Sequence, residues 1–221
     1  MITMDKEKQT QMTYIPIELD FNLYLVTDRK ILGSKPLVKA TEEALKGGIR
    51  AVQLREKDLG TRALLKLAYE MREITLKYDA RLFINDRVDI AIAVDADGVQ
   101  LGQKSIPPYA VRRLASRLII GVSTHSIEEA RKAQHDGADF ITLGPVFPTP
   151  SKAKYGEPLG LGALKEVAKG VSVPVFGIGG VNIENIKDVM DCGAAGGAMI
   201  TGIYGAKDIK AATLKLLKLL K

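Results

Sequence analysis

The chain has 221 residues, of which 46% are hydrophobic and 26% charged, a composition typical of a globular protein that buries one core. No apolar run reaches the roughly 20 residues of a membrane-spanning helix, and Met1 to Leu19 is too polar for a secretory signal, so we expect a cytoplasmic protein without a membrane partner. The formal charge of +6 comes from scattered lysines, which argues against nucleic acid and for an anionic ligand.

Short apolar runs alternate with amphipathic stretches along the chain. Eight runs are predicted as strands: Leu23–Asp28, Ala51–Arg55, Leu82–Asp86, Gly98–Gly102, Leu118–Ser123, Phe140–Pro145, Pro174–Gly180 and Ala198–Gly202. Between them, Ser126 to Glu129 has the pattern of a capping box and predicts a helix ending near Gly137. Asn182 is predicted to begin a helix that ends near Gly193, and residues 208–221 carry apolar residues at helical spacing.

Eight strands, each followed by a helix, predict a single (β/α)8 TIM barrel over residues 21–221, an α/β fold with little inserted sequence. Residues 1–20 lie outside the repeat and are predicted to form an N-terminal extension, either a frayed tail or an extra helix that closes the barrel bottom. In this fold the functional loops leave the C-terminal ends of the strands, so polar residues there indicate a site.

The end of the second predicted strand places Gln53, Arg55 and Lys57 on alternate positions. Alternate residues of a strand share one face, so these side chains are expected together, with Val52 and Leu54 on the other side. The result is a polar face with two cations at the barrel mouth. Asp28 and Arg29, at the C-terminal end of the first strand, are expected to form an ordinary ion pair at the rim.

Two further stretches are typical of phosphate binding. The glycine turn "GIGG", residues 177–180, ends strand seven, and "AMITGIY" repeats the arrangement one strand later, where this fold often binds phosphate through backbone N–H groups. The Gly- and Pro-rich segment 144–156 reads as a mobile lid on which Thr149, Ser151 and Lys152 offer two hydroxyls and an ammonium group. The sequence therefore predicts a site for two phosphate-bearing groups.

Other polar residues complete the predicted site. Asn85 and Asp86 lie at the C-terminal end of the third strand and offer oxygen ligands for Mg²⁺, which binds phosphorylated substrates through one or two carboxylates. Cys192 is the single cysteine, so neither an intrachain disulfide nor a cysteine metal cluster can form, and we expect a packed, unreactive thiol.

Eight motifs together resemble the thiamin phosphate synthase family. In chain order they are "YLVTDR", "VQLREKD", "FINDRVDIA", "ADGVQLGQ", "IIGVSTHS", "DFITLGPVFPTPSK", "VFGIGGV" and "MITGIY", and they cover about residues 21 to 210. The resemblance implies a (β/α)8 barrel and a transferase of thiamine biosynthesis. Such an enzyme joins hydroxymethylpyrimidine diphosphate to hydroxyethylthiazole phosphate and releases pyrophosphate with the help of Mg²⁺.

The resemblance also implies a role for each matching residue. Gln53, Arg55, Lys57 and Asn85 would bind the pyrimidine diphosphate, with Asp86 on the metal; Ser123 and Lys152 would contact the pyrimidine substrate and its diphosphate; Thr149, Ser151, Gly180, Ile200 and Thr201 would hold the thiazole phosphate. Arg55, Lys57, Lys152, Ser123 and His125 are the candidate catalytic residues.

One position departs from the family pattern and keeps two alternatives open. Ser105 stands where the synthases usually carry a second metal-binding aspartate, and it is the second candidate metal residue beside Asp86. A sister family, the thiazole tautomerases, lacks synthase activity and uses a histidine in the block matching "GVSTHS", here His125, as acid and base. A barrel without one metal ligand could also be a non-catalytic phosphate-binding regulator. The residues favour the synthase, and they leave open whether the chain forms a homodimer.

Overall fold

The computed structural model describes residues 19–149 and 157–220. Eight parallel strands pair in chain order and close into a barrel, the first strand lying between the second and the eighth. The strands are β1 (Leu23–Val26), β2 (Ala51–Leu54), β3 (Arg81–Asn85), β4 (Gly98–Leu101), β5 (Ile119–Thr124), β6 (Phe140–Leu143), β7 (Val175–Ile178) and β8 (Gly196–Met199). The predicted (β/α)8 barrel is confirmed.

Helices connect the strands and cover the outside of the barrel. They are α1 (Leu37–Lys46), α2 (Thr61–Lys77), α3 (Val88–Ala93), α4 (Pro108–Leu114), α5 (Ile127–His135), α6 (Gly160–Gly170), α7 (Ile186–Asp191), α8 (Thr201–Tyr204) and α9 (Ile209–Leu219), with a short 3-10 helix over Arg29–Leu32. Over residues 19–149 and 157–220, no helix combines the length and hydropathy that crossing a membrane requires.

Several element boundaries differ from the prediction. The first and seventh strands end at Val26 and Ile178, and the eighth runs from Gly196 to Met199 rather than from Ala198 to Gly202. Strand ends depend on where the neighbouring strand stops pairing, which residue types alone do not show.

Two helix starts show how local hydrogen bonds decide a boundary. The helix predicted from Asn182 begins instead at Ile186, because Asn182 Oδ1 accepts a hydrogen bond from the Glu184 N–H (2.8 Å) and holds a turn first. Ser126 caps α5 as predicted, since its hydroxyl accepts from the Glu129 N–H (3.2 Å).

Aromatic side chains fill the lower half of the barrel interior. This aromatic plug consists of Phe21, Tyr24, Phe83, Phe140 and Phe176, whose neighbouring ring centroids lie 5.3–6.3 Å apart. The three strand phenylalanines each lie opposite a glycine of the adjacent strand: Phe83 with Gly98, Phe140 with Gly121 and Phe176 with Gly196. A Cβ on any of these glycines would come within 2.8 Å of the facing ring, so glycine makes the space that the ring fills.

The outward face of each strand packs under the helices. Val52 and Leu54 belong to this outer core, whereas Ala51 joins the interior cluster, so the predicted alternation along β2 is confirmed. Cys192 also lies in the outer core, where burial raises the pKa of its thiol, as expected of a packed cysteine.

The N-terminal ends of the strands are held by two matching clamps. Asp97, just before β4, accepts from the Leu82 N–H (2.7 Å) and from Arg72 of α2 (2.6 Å). Asp139, just before β6, accepts from the Ile120 N–H (2.6 Å) and from Arg112 of α4 (2.6 Å). At the same end Asn22 Nδ2 donates to the Leu220 carbonyl (3.1 Å), which joins the two ends of the barrel domain.

Candidate active site

A layer of polar side chains lies on the aromatic plug, toward the C-terminal ends of the strands. Its interior-facing members are Gln53, Asn85, Gln100, Ser123 and Thr142, from five consecutive strands. Each comes two residues after a residue that belongs to the interior cluster or is a glycine facing one of its rings, because side chains alternate along a strand. The barrel therefore has an apolar floor and a polar mouth.

One hydrogen-bonded row runs across the mouth from β2 to the loop after β4. Gln53 Nε2 donates to Asn85 Oδ1 (3.0 Å), and Asn85 Nδ2 donates to Asp86 Oδ2 (2.9 Å). The Ser105 hydroxyl donates to Asp86 Oδ1 and accepts from the Gly102 N–H (2.7 Å). The structure thus brings Gln53, Asn85, Asp86 and Ser105 together. Asp86, directly after β3, adopts a φ of 60°.

The carboxylate of Glu56, the residue after Arg55, is bound within the protein. Glu56 is 5% exposed and accepts from the Thr27 hydroxyl (2.7 Å) and from Arg29 Nη1 (2.9 Å). Thr27 Oγ1 in turn accepts from the Arg55 N–H (2.9 Å), which fixes the backbone where the strand ends. The expected Asp28–Arg29 pair is wrong: Arg29 pairs with Glu56 and Asp58, and Asp28 caps the 3-10 helix.

The other carboxylate of the loop after β2, Asp58, is also paired, with Arg29 and Lys30 from the loop after β1. Arg29 and Lys30 hydrogen-bond to Asp58 and hold the pKa of that carboxyl well below its usual range. Within the described parts of the chain, the Arg55 guanidinium has neither an ion pair nor a hydrogen bond. Lys57 is exposed in the same loop. An arginine without a protein carboxylate suits an anionic ligand.

Ser123 occupies the last interior position of β5. Its hydroxyl accepts from Gln100 Nε2 (3.1 Å) and from Thr142 Oγ1 (3.3 Å). Its carbonyl accepts from Gln103 Nε2 (2.6 Å), so the loop after β4 is also tied to this strand. Ser123 and the row from Gln53 to Ser105 therefore line the same mouth.

His125 has a different environment. Its Nδ1 lies 3.1 Å from Glu129 Oε2, and its backbone N–H donates to the same oxygen (2.7 Å). The side chain is 48% exposed. Both polar contacts thus belong to the start of α5, and the catalytic role of His125 stays a prediction.

The loop after β6 and the glycine turn after β7 lie against each other. The N–H groups of Val146 and Phe147 donate to the carbonyls of Ile178 (2.9 Å) and Gly179 (3.0 Å). A Cβ on Gly180, whose φ is 69°, would lie 2.7 Å from Phe147 Cβ and 2.7 Å from the Pro148 carbonyl. Thr149 follows directly, so this pairing brings two predicted phosphate loops to one side of the mouth.

The remaining predicted site residues fall into two groups. Ile200 and Thr201 lie where β8 passes into α8, Ile200 as the N-cap and Thr201 as the first helical residue. Ser151 and Lys152 lie outside the described residues, as does most of the predicted mobile lid. Their roles stay predictions.

Comparison with known proteins agrees with this geometry. The family model for thiamine monophosphate synthase matches residues 23–203. A Geobacter sulfurreducens protein provisionally named as a thiamine-phosphate synthase is 50% identical over 204 residues, 92% of this chain and 96% of that protein. The thiamine-phosphate synthase of Pyrococcus abyssi is 43% identical over 90% of this chain and 94% of its own.

A solved structure also resembles this chain in both fold and sequence. Thiamine phosphate pyrophosphorylase from Pyrococcus furiosus superposes with a TM-score of 0.83 at 42% identity, covering 90% of this chain and 95% of that chain. The chain belongs to the thiamine-phosphate synthase family. Its activity is accordingly that of a thiamine-phosphate synthase, a transferase of thiamine biosynthesis.

In this thiamine-phosphate synthase the residues around Asp86 are the candidate ligands for Mg²⁺. Over residues 19–149 and 157–220, no group of three or more His, Cys, Asp or Glu side chains is arranged to hold a metal ion. Asp86 is exposed and offers one carboxylate, with the Ser105 hydroxyl against it. Mg²⁺ commonly uses one or two carboxylates and takes its other ligands from phosphate and water, so these residues fit it.

Four supporting residues of the synthase were not among the predicted site residues. Thr27 and Glu56 hold the backbone of Arg55, while Gln100 and Thr142 contact the Ser123 hydroxyl. The period of two along β4 and β6 would have placed Gln100 and Thr142 in the interior. The contacts of Glu56 join loops almost thirty residues apart, which no local pattern shows.

Proposed function

We propose that this thiamine-phosphate synthase joins hydroxymethylpyrimidine diphosphate to hydroxyethylthiazole phosphate, with the pyrimidine substrate over β2 to β5 and the thiazole phosphate over β6 to β8. The hydrogen-bonded row from Gln53 to Ser105, with Arg55 beside it, is the observation that carries this proposal. It combines one carboxylate, two amides and a nearby cation, which suits a Mg²⁺-bound diphosphate better than a neutral ligand.

The diphosphate is assigned to the cations. Arg55 has a side chain without a protein partner in the described chain, and Lys57 lies two residues further on. We assign Lys152 to the same diphosphate, on the evidence of the family motif "PTPSK". Negative charge on the departing oxygen grows toward the transition state, so these cations stabilise the transition state more than the bound substrate.

The pyrimidine ring is assigned to the space between Gln53, Asn85 and Ser123, above the aromatic plug. The polar side chains would bind the ring heteroatoms, and the apolar floor below them would exclude water from the ring. The thiazole phosphate is assigned to the turn at Gly180, to Ile200 and Thr201, and to the hydroxyls of Thr149 and Ser151. The contact between the loops after β6 and β7 supports this, because it places Thr149 and Gly180 on one side.

The chemistry needs no nucleophilic side chain. The C–O bond between the pyrimidine methylene and the diphosphate breaks with both electrons leaving on oxygen, and the thiazole nitrogen forms the new C–N bond. Bound at Asp86, Mg²⁺ would neutralise charge on the diphosphate. The residues of the chain orient the two partners and stabilise the leaving group, which agrees with a mouth built from amides, hydroxyls and cations.

The test is to incubate the purified protein with both substrates and Mg²⁺ and to measure thiamin phosphate and pyrophosphate. Equal amounts of the two products are expected. In a parallel incubation with the thiazole carboxylate phosphate, isomerisation of that compound, with no thiamin phosphate formed in the first incubation, would instead establish the tautomerase. A rise in melting temperature with thiamin phosphate, without turnover of either substrate set, would establish a binding protein.

The role of Lys152 is tested with a neighbouring lysine as the control. Lys152→Ala should lower kcat strongly and change the KM for the thiazole phosphate little, because the lost charge acts on the leaving group. Lys154→Ala removes the same charge two residues along the same segment and should have a much smaller effect. Equal losses in the two variants would contradict the assignment to the diphosphate.

A further inference from the structure

The Ser123 hydroxyl is contacted by two polar side chains of the barrel interior. Gln100 and Thr142 are each 2% exposed, and both approach this hydroxyl from inside the barrel, whereas Ser123 itself is half-buried at the mouth. Gln100 Nε2 lies 3.1 Å from Ser123 Oγ and 3.3 Å from Thr142 Oγ1, and Thr142 Oγ1 lies 3.3 Å from Ser123 Oγ. The three side chains form a closed triangle of polar contacts.

The amide of Gln100 has one favourable orientation. Its Oε1 is buried without a hydrogen-bond partner, in the space beside Gly121 and Phe140, where a Cβ on Gly121 would lie 2.4 Å from both Oε1 and Phe140 Cζ. The reversed amide would leave two N–H donors in that space with no acceptor, and the observed one leaves a single acceptor. The Gln100 amino group therefore faces the two hydroxyls.

This orientation, together with the hydrogen bond from Thr142 Oγ1 to Ser123 Oγ, sets the direction of the hydroxyl chain. A hydroxyl group has one hydrogen to donate and two lone pairs to accept. Ser123 Oγ uses both lone pairs on donors from the interior, Gln100 Nε2 and Thr142 Oγ1. Its hydrogen is left to point toward the mouth, so Ser123 presents a donor to whatever binds there. Chains of hydrogen bonds aligned in one direction strengthen each other.

We propose that Gln100 is a positioning residue which, together with Thr142, fixes Ser123 as a hydrogen-bond donor to a ring nitrogen of the pyrimidine substrate. The inference rests on the proposed placement of the pyrimidine at Ser123. It adds a specificity rule: the site selects an acceptor at this ring position and discriminates against a C–H or N–H group there.

The test is a double-mutant cycle on the purified enzyme. Gln100→Met removes the donor at nearly constant shape and should raise the KM for the pyrimidine diphosphate about tenfold, the size of one lost hydrogen bond, with the KM for the thiazole phosphate unchanged. In a Ser123→Ala background the same change should add less than twofold, because the hydroxyl that Gln100 orients is gone. Equal effects of Gln100→Met in both backgrounds would overturn the proposal.

A second variant and a substrate analogue guard against a folding defect. Thr142→Val removes the other donor with little change in volume and should show the same dependence on Ser123. A pyridine analogue of the pyrimidine diphosphate has C–H in place of the ring nitrogen. The wild type should bind this analogue about tenfold more weakly than the pyrimidine diphosphate, whereas Gln100→Met should bind the two compounds with equal affinity. If neither variant distinguishes nitrogen from C–H, the proposal fails while wild-type turnover still supports the proposed function; a wild type without turnover fails the proposed function itself.

Discussion

Replacing Ser105 with Asp should lower the Mg²⁺ concentration that the synthase needs and make the metal-free protein less stable. The Ser105 hydroxyl accepts from the Gly102 N–H and donates to Asp86 Oδ1, so an aspartate at position 105 would place a second carboxylate beside the first. The substitution would supply the second anionic ligand that the resemblance to the synthases implies at this position.

The size of both effects follows from the exposure of the site. Asp86 is exposed and Ser105 is half-buried, so water screens charges there strongly. Two carboxylates about 4 Å apart repel by about 1 kcal/mol in water, and a carboxylate attracts a divalent ion at that distance by about 2 kcal/mol. The second value corresponds to a roughly 30-fold lower Mg²⁺ requirement.

The assay is pyrophosphate release measured against Mg²⁺ concentration, with thermal unfolding in chelator and in saturating Mg²⁺. Ser105→Asn is the matched control, since it has the shape of aspartate without the charge. We expect Ser105→Asp alone to shift the Mg²⁺ midpoint downward and to regain stability when Mg²⁺ is added. If the Asp and Asn variants share one midpoint, Asp86 and Ser105 do not form the metal site.

Three predictions concern stability. Tyr24→Phe should stabilise the fold by about 1 kcal/mol, seen as a melting temperature about 2–4 °C higher, because the Tyr24 hydroxyl is fully buried without a partner in the described chain; a lower melting temperature would contradict this. Asp139→Ala should destabilise by about 3–5 kcal/mol in urea unfolding, because it leaves Arg112, 17% exposed, without its carboxylate and the buried Ile120 N–H without its acceptor; a loss below about 1 kcal/mol would show that water replaces the carboxylate. Hydrogen bonds from Lys77 and Tyr78 lower the pKa of Glu42 from 4.5 to about 2, so its contribution to stability is present above pH 4.5 and is lost as the pH falls toward 2; Glu42→Gln should reduce the fall in the urea midpoint over that range, and an unchanged fall would refute this.

Most of the fold could be predicted from the sequence because the pattern of apolar residues is periodic. The alternation of apolar residues placed Val52 outside and Gln53 inside, and the eightfold repeat predicted the closed barrel. The strand ends and the start of α7 were less predictable, since they depend on pairing with a neighbour and on one Asn side chain. Local patterns describe which face a residue takes better than where its element stops.

The candidate site was predictable in part for the same reason. Residues that line the mouth, such as Arg55 and Asp86, lie at strand ends and carry polar groups, so the sequence pattern predicts their position. The residues that hold these side chains in place could not be predicted in this way. Glu56 lies in a charged loop, and its pairing with Arg29 depends on two loops meeting in space. A buried charge of this kind is identified only after folding has brought its partner near.

The hydrogen bond between Asn22 and Leu220 bears on how the chain can be reconnected. Asn22 Nδ2 and the Leu220 carbonyl oxygen are 3.1 Å apart at the barrel bottom, so a short linker could join the two residues without stretching any strand. New ends could then be opened at the turn after α5, near Gly137, on the face away from the mouth. A circularly permuted enzyme of this kind would keep every strand neighbour and every contact at the mouth while visiting them in a new order, so catalysis should depend on which strands are adjacent and not on which is made first.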